Sequence, residues 1–256
     1  MTTYTAIRAE NRGPAAWLIL DRPERRNPLG PAVTAELCHA LEAAREDPAV
    51  RVVVLAGEGK VFSAGGDLGG MGSLPEGVPA RDFVELLLAM TRLGKPTIAR
   101  VHGAAMGGGL GLAVACDVTL VAEDCRLGTP EIDVGLFPMM IMAVLLRAAP
   151  RKPILEMMLT GARIDAREAA RLGLVTRAVP PGELDAEVDR LVAALAAKSP
   201  SSLRLGLEAY HGQLDLHYAE ALPYLRDMLG RIVGTDDARE GIQAFLEKRP
   251  PRWSGR

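Results

Sequence analysis

KPTIARVHGAAMGGGLGLAVACD, residues 95–117, is the stretch that decides the fold. Thr97 to Val101 reads as a buried strand, Ala104 to Gly111 as a glycine-rich turn, and 109–116 as a short helix. Val118 to Ala122 then reads as a second strand. The same order occurs earlier in the chain. The apolar run at 51–55 leads into FSAGGDL, Phe62 to Leu68, and then to a helix from Asp82 to Arg92 with Phe83, Leu86, Leu87 and Met90 on one side. Repeated strand–turn–helix alternation predicts an α/β fold.

Outward from these units, Tyr4 to Arg8 and Ala16 to Leu20 read as strands. Pro31 opens a helix with Val33, Leu37, Leu41 and Ala44 on one face, and Asp47-Pro48 ends it. Residues 69–80 are rich in Gly and Pro and read as a loop. From Pro150 onward the pattern is almost purely helical, with segments at 151–160, 166–172, 183–198, 201–212, 215–230 and 236–248. Lys198-Ser-Pro-Ser-Ser202 cannot continue the preceding helix, so the expected division is 1–198 and 199–256.

The 256 residues are 48% hydrophobic and 24% charged, an ordinary globular composition with a sizeable core. A net charge of −2 argues against a surface that coats nucleic acid, and 4% aromatic residues argue against stacked bases. The N-terminus does not read as a secretory signal. The longest apolar run, Leu136 to Leu146 with Pro138 inside it, is too short for a bilayer. Cys38, Cys116 and Cys125 fit neither a disulfide framework nor a zinc site, so core thiols, a cytoplasmic location and no metal are expected.

Glycine at such turns lets backbone approach a ligand and leaves its N–H groups bare. At Gly107-Gly108-Gly109 these groups belong to the unsatisfied first turn of a helix, where the dipole adds partial positive charge. Two such groups converging on one oxygen stabilise an oxyanion, and Glu131, in Thr129-Pro130-Glu131, is a carboxylate suited to moving protons. Close strand–helix packing explains the glycines equally well on count alone. No Gly-Lys-Ser/Thr follows them, which excludes a P-loop. The dinucleotide fingerprint fails at its third small position, and no Gly-x-Ser-x-Gly elbow announces a hydrolytic nucleophile.

FSAGGDL, residues 95–117 and LGTPEIDVGLFP (Leu127 to Pro138) together resemble the crotonase, or enoyl-CoA hydratase/isomerase, family. LDRPERRNPLG (Leu20 to Gly30), LTGARIDAREAARLGLV (Leu159 to Val175) and FLEKRPPRW (Phe245 to Trp253) extend the likeness over nearly the whole length. The resemblance implies a spiral of ββα units with a C-terminal helical region for trimerisation, the trimers often pairing into hexamers. It implies a small-molecule acyl-CoA substrate, with coenzyme A as part of the substrate rather than a cofactor. No nucleic-acid or membrane partner is implied. The oxyanion-hole amides match Gly66 and Gly108. Arg25, Leu29, Ala64 and Leu68 match positions bordering the coenzyme, and Phe245 and Lys248 match residues that reach a neighbouring subunit's nucleotide.

Three departures stand out. Family hydratases carry a first glutamate where this chain has Gly111, so only Glu131 remains of the pair. A glycine-rich run after Pro138 is replaced by Met139-Met140-Ile141-Met142, which with Phe83, Leu87 and Phe137 reads as an acyl pocket. A lysine common two residues after Asp67 is Gly69. Asp67, Asp117 and His102 read as structural. Some family isomerases resemble the single-glutamate pattern, so the expected reaction moves a double bond from the 3- to the 2-position. The alternatives are hydration of 2-enoyl-CoA by Glu131, alone or with Asp82 or Glu85, and acyl-CoA binding without turnover.

Overall fold

Val52-Val53-Val54-Leu55-Ala56 is buried on both faces, which a central parallel strand requires and a surface strand does not. The computed structural model describes residues 3–67, 69 and 78–256. Four successive turns of the chain repeat one plan: a long strand, a short strand, then a helix. The first comprises β1 (Ile7–Arg12), its hairpin partner β2 (Ala15–Leu20), β3 (Pro28–Leu29) and α1 (Pro31–Glu46). The second is β4 (Val52–Gly57), β5 (Gly65–Gly66) and α2 (Phe83–Thr91), and the third is β6 (Thr97–Val101), β7 (Ala104–Met106) and α3 (Gly108–Val114). The fourth is β8 (Val118–Ala122) and β9 (Arg126–Gly128), a single 3-10 turn at Pro130–Val134, and α4 (Met139–Ala148).

After α5 (Arg151–Thr160) come β10 (Arg163–Asp165), α6 (Ala166–Arg171), β11 (Arg177–Val179) and α7 (Leu184–Ala196). The chain ends in α8 (Pro200–Gln213), α9 (Tyr218–Val233) and α10 (Asp236–Leu246). The long strands form one sheet in the order β1-β2-β4-β6-β8-β11, parallel throughout except for the β1–β2 hairpin. The short strands make a second layer: β3 pairs with β5, and β7 with β9, which continues to β10. A Ser63–Ala105 bridge laces the two halves of that layer. Each turn of the spiral therefore advances one strand, and the glycine turns stack above one another.

Two differences from the sequence reading have local causes. The first strand runs Ile7–Arg12, not Tyr4 to Arg8, because the hairpin closes at Gly13 and pairs Arg12 with Ala15. The freed segment is held by Glu36, buried on α1, whose carboxylate accepts bonds of 2.7–3.0 Å from Thr5 N, Thr5 Oγ1, Ala6 N and Ile7 N. Glu36→Ala strands these donors and is expected to cost about 3 kcal/mol in urea denaturation. An unchanged midpoint would contradict that. The region after Pro150 is not purely helical either, since β11 extends the main sheet beside β8. A three-residue strand is too short to show a period.

Helices α8 and α9 share a small core of Leu205, Ala209 and Met228. Asp237, buried at the start of α10, accepts from Ser199, Ser201, Ser254 and Gly255 and so joins α8, α10 and the C-terminus. Burial alone would raise its carboxyl, but these bonds outweigh it and hold it at about 2. Cys38, Cys116 and Cys125 are buried free thiols. No helix among the described residues is long and apolar enough to cross a membrane.

Candidate active site

The first glycine turn is fixed by backbone bonds on both sides. Phe62 N donates to His102 O, Ser63 N to Ala104 O and Met106 N to Ser63 O, tying it alongside β7. Gly65 has φ +100°, and a Cβ there would lie 2.8 Å from Met106 O. Only glycine allows that approach. Ala64 N donates to Arg26 O, Gly65 N to Ser63 Oγ and Asp67 N to Leu29 O. Gly66 lies between these committed amides and faces open space.

Beneath the turn sits Asn27, which the sequence reading passed over. Its side-chain NH₂ donates to Glu58 O, Val61 O and Phe62 O, and its Oδ1 accepts from Arg22 N. Its φ of +53° places it in the left-handed region that asparagine tolerates. That tolerance, in an Arg-Asn-Pro turn, was the available signal.

At the second turn Gly107 has φ +49° and donates its N–H to Gly128 O at 2.8 Å. Helix α3 begins at Gly108, and the first helical bond runs from Gly111 N to Gly107 O. The Gly108 amide therefore has no partner within its helix. A Cβ built on Gly108 would lie 3.8 Å from Gly66 N, so the two glycines are close neighbours across the turns.

Glu131, in the 3-10 turn after β9, closes the third side. Its Oε1 would touch a Cβ at Gly107 at 2.5 Å, so the carboxylate packs directly over that glycine. Its Oε2 and the neighbouring Thr129 Oγ1 are buried without a hydrogen-bond partner among the described residues. Burial pushes the Glu131 carboxyl above its ordinary value, against a smaller opposite effect of its own backbone amide. An unpaired carboxylate with a raised pKa beside two glycine turns is suited to taking and returning a proton.

These groups border a cleft of about 500 Å³, within the usual range for a small-molecule site. Leu29, Ala64, Gly66, Phe83, Gly108, Glu131, Phe137 and Met139 all line it. Leu87 does not. It lies one turn, roughly 6 Å, further along α2 than Phe83. There it borders a separate groove with Thr91, Met140 and Val144. Arg25 lies outside the lining and donates to both oxygens of Asp67, at 2.8 and 3.1 Å. Leu68 lies outside the described residues. Phe245, 82% exposed, and Lys248 lie at the end of α10, away from the cleft.

Asp82 and Glu85 do not line this cleft. They cap α2 reciprocally, Asp82 Oδ1 accepting from Glu85 N and Glu85 Oε2 from Asp82 N, both at 2.8 Å. Glu85 borders a different cavity with Cys38 and Arg45. Asp117 Oδ2 accepts from Thr97 N and Oγ1, and His102 bridges Arg100 and Gly59 O, both within the framework.

The structure adds Asp133 and Arg163, both exposed at the cleft's rim, and Pro138, which serves as N-cap of α4 rather than interrupting an apolar run. No group of three or more metal-ligating side chains occurs among the described residues.

A sequence model described as Enoyl-CoA hydratase/isomerase matches residues 12–256. A Thermus thermophilus protein carrying the provisional name enoyl-CoA hydratase is 39% identical over 94% of this chain and 98% of its own. The crystal structure of an enoyl-CoA hydratase from Mycobacterium smegmatis superposes with a TM-score of 0.90. Its identity is 34%, covering 97% of this chain and 99% of that one. Human enoyl coenzyme A hydratase domain-containing protein 3 gives a TM-score of 0.87 at 30% identity, covering 97% and 100%.

Proposed function

Because the chain belongs to the enoyl-CoA hydratase/isomerase family, we propose that it isomerises 3-enoyl-CoA to 2-enoyl-CoA in the cleft between its two glycine turns. The observation that carries this reading is Glu131, the half-buried carboxylate of the cleft lining, packed on Gly107, with Gly66 and Gly108 lining the same cleft. The thioester oxygen accepts from both amides. Glu131 takes a proton from C2, and the electron pair spreads over the dienolate onto that oxygen. The same carboxyl returns the proton to C4, leaving the double bond between C2 and C3. Nothing is added or lost, and no separate cofactor is required. Phe83, Phe137 and Met139 supply an apolar wall for the acyl chain.

Arg25, Leu29, Ala64 and Leu68 are assigned to the coenzyme's side of the site, and Phe245 and Lys248 to the nucleotide of an adjoining subunit. The apolar side chains left exposed on α8–α10, among them Leu222, Leu229, Ile242, Phe245 and Leu246, support 199–256 as a trimerisation region, with hexamers as trimer pairs. Three buried free thiols suit a reducing, cytoplasmic setting.

Asp133 favours a second reading. It is another carboxylate on the cleft's lining, and with Glu131 it would serve hydration of 2-enoyl-CoA, the activity in the relatives' names. The deciding assay supplies 3-enoyl-CoA and 2-enoyl-CoA of several chain lengths and follows products by mass. Conversion of the first without a gain of water is expected. Hydration of the second at a comparable rate would replace isomerisation with hydration, and silence on both would leave a binding protein.

A further inference from the structure

Gly111 stands three residues after Gly108 on α3, so the two share a helix face, and a side chain at 111 would project towards the same wall of the cleft. That space is already filled. A Cβ built on Gly111 would lie 2.1 Å from Ile141 Cγ2 and 2.6 Å from Ile141 Cβ, distances no real carbon pair tolerates. Ile141 comes from the first turn of α4, is 3% exposed and lines the cleft. Its branch point is at Cβ, which in a helix leaves essentially one rotamer. It cannot swing aside as a lysine or methionine would. Either residue 111 carries no side chain or α4 moves.

We propose that Ile141 is the specificity-determining residue of this site: its side chain occupies the place a second acid on α3 would need and keeps the inner wall apolar. The proposal rests on the isomerase reading and deepens it. Adding water to a 2-enoyl thioester forms a C3–O bond and a C2–H bond and breaks one O–H bond of the water. One group must take the water's proton while a proton reaches C2, and the water must be held in place. A water set against Ile141 finds no hydrogen-bond partner on that wall. Moving a double bond has no such requirement, because one carboxylate lifts and returns a single proton.

The packing part is tested by a double-mutant cycle in the full-length protein, read by thermal melting. Alanine is normally the better residue inside a helix, so Gly111→Ala alone would ordinarily raise Tm. Here it is expected to lower Tm in the parent and to raise it in an Ile141→Gly background, where the nearest remaining atom of residue 141 is its Cα at 3.6 Å. Additive shifts overturn the proposal.

The specificity part is tested with Gly111→Glu/Ile141→Gly and, as a variant that only opens the wall and adds a hydroxyl, Ile141→Ser. Both are expected to form 3-hydroxyacyl-CoA from 2-enoyl-CoA faster than the parent, the acid-bearing protein by roughly 10²-fold. An unchanged ratio of hydration to isomerisation, in a parent that isomerises but does not hydrate, overturns the role of Ile141 and leaves the isomerase reading standing. A parent that hydrates as fast as it isomerises removes the isomerase reading, and the proposal with it.

Discussion

Glu131→Gln lowers kcat for 3-enoyl-CoA by roughly 10²–10⁴-fold, the usual contribution of a positioned acid–base group, while a non-reactive acyl-CoA still binds. Glutamine keeps the shape that packs on Gly107 and supplies no proton acceptor of comparable basicity. The acidic limb of kcat/KM provides a second readout. Because burial raises the Glu131 carboxyl, the inflection is expected above the ordinary glutamate value. Stability has the opposite sense. The native state holds this proton through a window in which the unfolded chain has released it, so stability falls as pH rises from the ordinary value to the raised one and stays lower above it. Glu131→Gln removes that loss and is expected to be at least as stable as the parent at neutral pH, its advantage disappearing in acid. A mutant that keeps the parent's rate and acidic limb would exclude Glu131 from proton transfer.

Much of this site was readable in the chain because its parts are local. Glycine runs between a strand and a helix mark turns that a ligand can approach closely, and a Pro-Glu pair after a short strand marks a carboxylate on a turn. The long strands were readable because parallel, two-sided burial leaves continuous apolar runs such as residues 52–56. The second layer was not, since β3 and β5 have two residues each and owe their existence to pairing across the spiral. The same limit misassigned Leu87, which shares a helix face with Phe83 yet lies past the end of the cleft. Periodicity gives a direction around a helix but not what stands opposite each turn. The contact between Ile141 and Gly111 illustrates the converse, for thirty residues separate them and only the folded chain shows that one fills the other's place.

Gly108→Ala separates the proposed oxyanion amides from the fold. Gly107 cannot serve this purpose, because its φ of +49° and its contact with Glu131 Oε1 would confound strain with chemistry. At Gly108 the backbone is not left-handed, and an added Cβ meets only Leu29 Cδ1 at 3.6 Å and Gly66 N at 3.8 Å, ordinary contact distances. The protein is therefore expected to melt at the parent's temperature or slightly above it, alanine being the better helix former. The methyl nevertheless stands in the gap where an oxygen must come within about 2.7–3.1 Å of both nitrogens. Displacing that oxygen from one donor removes stabilisation that exists only as charge develops, so kcat is expected to fall by roughly 10²–10³-fold with a smaller change in binding. Gly66→Ala, whose methyl meets nothing within 4 Å, supplies the comparison. A Gly108→Ala protein that melts and turns over like the parent would mean that the thioester oxygen is held elsewhere.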